Sequence, residues 1–144
     1  MPPPAGSAKV RLGAVVSCEN VPMQRVTGIG GVFLRARDAE VLRAWYATHL
    51  GIDVSEWGGH TFRWHAGGTT GWTVLEKDTD YIGDPGQPYM MNFRVDDLDA
   101  MLAQLRAAGA RVADEVEDGE FGRFAWAYDA EDNRFELWQP PRGR

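Results

Sequence analysis

This chain has almost no cysteine. Cys18 is the only one in 144 residues, which excludes an internal disulfide framework and fits a reducing cytoplasm. It has no excess of basic charge either. Its 15 Lys and Arg stand against 21 Asp and Glu, for a formal net charge of −6, so no general attraction to nucleic acid or an anionic membrane is expected. No apolar run approaches the ~18 residues needed to cross a bilayer, and the start lacks the basic-then-apolar order of a signal peptide. Serine-nucleophile, phosphate-loop and dinucleotide signatures are absent: "GIGG" lacks the G-x-G-x-x-G spacing and precedes a strand-like run, not a helix.

What remains is an ordinary globular composition, 44% hydrophobic and 25% charged, long enough for one domain with a core of its own. Six tryptophans are many for this length. Core packing is their default explanation, but aromatic side chains also wall small-molecule sites.

The chain begins with a Pro-rich stretch and a short apolar run from Val10 to Val16. Residues 1–25 are expected to form an arm that adds a strand to this or another subunit, the alternative being sequence upstream of a start at Met23. From Val26 the signals become regular. "VTGIGGVFLRA" reads as a strand. "DAEVLRAWYATHL" reads as a helix, with Asp38 as N-cap and Gly51 just past its end. Strand-like runs follow at Val54–Trp57, His60–His65 and Trp72–Glu76, separated by glycine turns at Gly58–Gly59 and Gly67–Gly71.

After a polar connector over 78–88 the order repeats. "YMMNFRV" is a strand, "DDLDAMLAQLRAAG" a helix capped by Asp97 and stopped at Gly109, and "ARVADEV", "GRFAWAY" and "RFELWQ" are strands. Asp38 and Asp97 are 59 positions apart, and Gly51 and Gly109 are 58 apart. A near-constant offset between matching helix ends marks an internal duplication. The two modules span 26–77 and 89–140, each strand, helix, then three strands.

Two βαβββ halves in this order, with "GVFLRARD…LRAWYATHLGI" in the first and "MNFRVDDLDAMLAQLRAAGARV" and "GRFAWAYDAEDNRFELWQP" in the second, resemble the vicinal oxygen chelate superfamily. That superfamily includes glyoxalase I, bleomycin-resistance proteins and extradiol dioxygenases. Members commonly read D-P-x-G-N before the last strand. This chain has "DAEDN", where Asp132 or Asn133 can supply the left-handed turn. The resemblance implies an α+β fold: paired βαβββ modules form curled mixed β-sheets around a cleft, with helices on the convex side. It also implies a homodimer.

In the metalloenzymes of the superfamily four ligands line the cleft. Carried over, those positions fall on Gly31, Glu76 (within one residue), Met90 and Glu136. Glycine offers no side chain, and a thioether is a poor ligand for a hard divalent ion. Two carboxylates fall short of the three or more protein ligands such a site needs. None of His49, His60 and His65 occupies a matching position. No cofactor is therefore expected. A divalent metal held by Glu76 and Glu136 is the alternative.

Strand alternation assigns the faces. If Val32, Leu34, Phe93, Val95, Phe135 and Leu137 turn to the helices, the opposite parity lines the cleft. That set contains Phe33, Arg35, Trp72, Glu76, Met90, Asn92, Arg94, Glu136 and Trp138, with Trp126 adding aromatic mass. An ion pair of Glu136 with Arg94 or Arg35 is the favoured reading, because unpaired buried charge is costly. The others are ligand orientation and a general base.

Three functions compete. The first is metal-free binding of a small aromatic or hydrophobic molecule, the acidic charge favouring a cationic or neutral one. The second is a metal-dependent lyase, isomerase or dioxygenase using Glu76 and Glu136. The third is a metal-free enzyme in which Glu136 or Glu76 takes a proton beside an Arg-bound carbonyl, Arg35 or Arg94 stabilising the oxyanion.

Overall fold

Short acidic side chains start both helices, as their spacing predicts. The computed structural model of the protein describes residues 23–25, 29–64 and 66–142. Residues 1–22 of the expected arm, with Cys18, the start of the expected strand at 26–28, and His65 lie outside them. Helix α1 spans Ala39–Leu50, and the Asp38 carboxylate accepts from the Val41 N–H at 3.2 Å. Helix α2 spans Leu98–Ala107, and Asp97 accepts from Ala100 N–H at 3.0 Å. Each side chain satisfies an otherwise orphaned first-turn donor, worth about 1 kcal/mol. Gly51 (φ 65°) and Gly109 (φ 78°) end the helices in the left-handed conformation.

Four strands complete the described fold: β1 (Met91–Arg94), β2 (Val112–Gly119), β3 (Gly122–Tyr128) and β4 (Arg134–Gln139). They form an open mixed sheet in the order β1-β4-β3-β2, with β1 parallel to β4 and the other pairs antiparallel. This is an α+β fold with the strand, helix, three-strand order expected of the second module. The β3–β4 turn is closed by Asp129, whose carboxylate accepts from the Glu131 and Asn133 N–H groups and from the Tyr46 hydroxyl at 2.7 Å. Asp132 adopts φ 62°, the left-handed position expected in place of a glycine.

The core lies on the helix side of the sheet. Leu98, Leu102 and Leu105 of α2 pack on Ala125, Ala127, Phe135 and Leu137, with Trp45, Phe93 and Val95 against them. Full burial of a side chain such as Phe135 or Leu137 is worth roughly 1.5–3 kcal/mol. Phe93, Val95, Phe135 and Leu137 therefore face the helices, as strand parity predicts. Val32 and Leu34 do not join them and stay exposed.

The first half differs from expectation. The strands predicted over 26–36, 54–57, 60–65 and 72–76 are absent from the described residues of that half; α1 is its one regular element there. The Gly58–Gly59 turn forms, with Ser55 N–H donating to Gly59 C=O at 2.8 Å, but no ladder extends from it. A helix closes its hydrogen bonds locally, whereas a strand exists only by pairing with a distant one. Phe62, Trp64, Trp72 and Val74 are each more than 60% exposed, so no packed layer holds these segments in register.

Candidate functional site

The sheet face turned away from the helices carries the polar and aromatic residues of even parity. Register sets them in rows. Glu136 on β4 lies between Asn92 on β1 and Trp126 on β3. Trp138 lies between Arg94 and Phe124.

Glu136 is only 6% exposed. Its Oε2 accepts from the Trp126 indole at 2.9 Å and from the Tyr81 hydroxyl, and its Oε1 accepts from the Asn92 amide at 2.6 Å. Three neutral donors therefore hold this carboxylate, and among the described residues no cation lies within salt-bridge distance of it. The ion pair with Arg94 or Arg35 is corrected on this point. The cause is register: the cross-strand neighbours of Glu136 are neutral, while Arg94 is opposite Trp138 and donates to the Thr69 carbonyl at 2.6 Å.

Tyr81 stands edge-on to Trp126, ring centroids 6.0 Å apart. Burial, and then the bond to Glu136, push its phenol well above the ordinary tyrosine range, so it remains a proton donor at neutral pH. Arg134 braces it from behind, donating to the Tyr81 carbonyl at 3.2 Å and to the Tyr128 hydroxyl at 3.0 Å. In the next row Trp138 and Phe124 stack at 6.2 Å and 12°, and the Trp138 indole is fixed to the Phe121 carbonyl at 2.8 Å. The Arg94 guanidinium lies 5.4 Å from the Trp138 ring centroid.

The structure thus brings together Asn92, Arg94, Trp126, Glu136 and Trp138 of the expected cleft, with half-buried Met90 just before β1. It does not bring Trp72 or Glu76 to them. Trp72 is 78% exposed, and Glu76 is exposed as well. Phe33 and Arg35 line a cavity of about 630 Å³ on the other side of the β1–β4 pair, with Tyr46, Tyr89, Met91 and Phe135. Sequence reasoning missed Tyr81. Its one signal was a lone aromatic in a polar connector, beside acidic and glycine residues that marked the segment as a loop.

The metal ligand set does not fit. Gly31 and Met90 supply no hard donor, Glu76 is exposed, and both Glu136 oxygens already accept from neutral donors. Among the described residues no three His, Cys, Asp or Glu side chains are grouped closely enough to hold an ion.

The sequence profile of the glyoxalase-like domain matches residues 31–138, three quarters of the chain and both of its halves. The chain belongs to the glyoxalase-like domain family. It is a member of the vicinal oxygen chelate superfamily, and solved structures share its fold. One is a glyoxylase/bleomycin resistance protein/dioxygenase domain from Frankia sp. EAN1pec, 23% identical, with TM-score 0.53, covering 83% of this chain and 96% of that one. Another is TnmS3, an antibiotic binding protein from Streptomyces sp. CB03234, 21% identical, with TM-score 0.54, covering 83% and 100%. A third is the fosfomycin resistance protein FosX from Listeria monocytogenes, 12% identical, with TM-score 0.53, covering 82% and 97%. Comparison with curated proteins finds no significant match. In this glyoxalase-like domain no helix among the described residues is long and apolar enough to cross a membrane.

Proposed function

We propose that this glyoxalase-like domain binds a small aromatic molecule on the concave face of its sheet, without a metal. The observation that carries the reading is Glu136, a buried carboxylate aimed by three neutral donors within a wall of Tyr81, Phe124, Trp126 and Trp138. Aromatic walls with a few fixed polar groups are how small organic ligands are usually held. An antibiotic binding protein and a fosfomycin resistance protein share this fold, which fits the reading. The test is titration of intrinsic tryptophan fluorescence with a panel of aromatic compounds, on protein whose metal content is measured by plasma mass spectrometry. Saturable quenching with less than about a tenth of an equivalent of metal supports the reading, since a resident metal site is normally well filled. A full equivalent lost on Glu136→Ala would replace it with chelate chemistry.

The contact between Tyr81 and Glu136 favours a second reading, a metal-free enzyme in which Glu136 is the general base and Tyr81 its proton partner. Glu76 has no place in that reading. The proposal includes a homodimer, checked by sedimentation equilibrium, and a cytoplasmic location, resting on the single cysteine.

A further inference from the structure

We propose that the concave site is selective for aromatic carboxylates and that Arg94 is the residue that recognises them. The inference rests on the ligand-binding reading above.

Arg94 is anchored but not neutralised. One guanidinium N–H is used by the Thr69 carbonyl at 2.6 Å, and the plane is steadied over the Trp138 ring at 5.4 Å. Among the described residues, the other four of the five donors a guanidinium carries have no hydrogen-bond partner, and no carboxylate lies within 4 Å of them. Arg94 is exposed, so these donors face solvent on the same surface as the aromatic wall. A planar fork already held in place loses little freedom on binding a carboxylate, and it matches one with two parallel hydrogen bonds.

The other charges on this face leave that role open. Glu136, the nearest acid by register, is turned into Trp126, Tyr81 and Asn92. Glu117 is opposite Phe124 on the outer strand β2, three strands from β1 and so roughly 14 Å away, beyond effective reach in salt. Arg134 is engaged with Tyr81 and Tyr128 and adds positive charge. The chain's net charge of −6 favours cationic or neutral ligands only at long range, and contact chemistry at Arg94 outweighs it. With the carboxylate on Arg94, the ligand ring falls against the Trp138–Phe124 stack.

Three probes of one shape separate the charge from the ring: 2-naphthoate, 2-naphthamide and 2-naphthylmethylammonium, titrated calorimetrically into the full chain. The expected result is naphthoate at least tenfold tighter than naphthamide, with the ammonium weakest. Arg94→Met should remove the gap between naphthoate and naphthamide while naphthamide affinity stays within about twofold, and Arg94→Lys should restore part of it. Equal binding of naphthoate and naphthamide to the wild type, or tightest binding of the ammonium, would overturn the inference and leave aromatic binding standing. A gap that survives both Arg94 variants would also overturn it. Absence of binding by all three would sink the ligand-binding reading itself.

Discussion

The two faces of the sheet are made by the same strands and obey opposite rules. On the helix face Ala125, Ala127, Phe135 and Leu137 are closed by α2 and fully buried, and nothing there needs a hydrogen bond. One residue along each strand, the concave face holds Asn92, Arg94, Trp126, Glu136 and Trp138, each with a fixed polar or stacking partner. The first face is held by volume and the second by directed contacts. A strand of alternating parity can therefore carry stability on one side and recognition on the other.

Substitutions can break this contrast. The largest loss of stability is expected for Phe135→Ala, about 3–5 kcal/mol by denaturant unfolding, because a cavity opens in the packed layer. A loss under about 1 kcal/mol would mean that the helix face is not what holds the fold. Glu136→Leu keeps apolar bulk but strips the acceptor from Trp126, Asn92 and Tyr81, and is expected to cost about 1–3 kcal/mol together with most aromatic-ligand affinity. A stabilised Glu136→Leu protein that still binds would show that the concave contacts are incidental.

Tyr46→Phe sharpens the contrast through pH. Burial first, and then the bond to Asp129, raise the Tyr46 phenol above the ordinary value of 10.0. The folded state keeps that proton while the unfolded chain gives it up. Stability from Tyr46 is therefore complete below about pH 10 and falls as pH rises further. The phenylalanine variant should lose about 1 kcal/mol at neutral pH and show a shallower decline above pH 10, read by thermal melts. Parallel slopes would remove Tyr46 as the cause.

The smallest effect is expected from Glu131→Gln. Backbone N–H groups of Asp38 and Arg37 hold its carboxyl below the usual range, so what it contributes is present at neutral pH and lost as pH falls through the acidic carboxylate range. The melting difference from wild type should be small at pH 7 and vanish under acid.

Much of the fold was legible. Caps at Asp38 and Asp97 and the runs "GRFAWAY" and "RFELWQ" carry their structure in local pattern, and β3 and β4 match those runs residue for residue. Parity also placed Phe93 and Leu137 inside and Glu136 on the opposite face. The predicted first-half strands fared worse, because aromatic and β-branched content signals willingness to pair without naming a partner. The partner of Glu136 was misread for a related reason. The cost of buried charge argued for an arginine, but cross-strand register, visible only once β1 was known to lie parallel to β4, put Asn92 and Trp126 beside it. Tyr81 arrives from a connector whose path no periodicity describes.

The most direct test follows the indole N–H resonances by NMR during titration with 2-naphthoate, assigned through single Trp→Phe variants. Trp126 and Trp138 should shift saturably at one common dissociation constant, while Trp45, packed against the helix-face core, stays still. Shifts at Trp45 with Trp126 and Trp138 unmoved would contradict the account and place the ligand on the other side of the sheet.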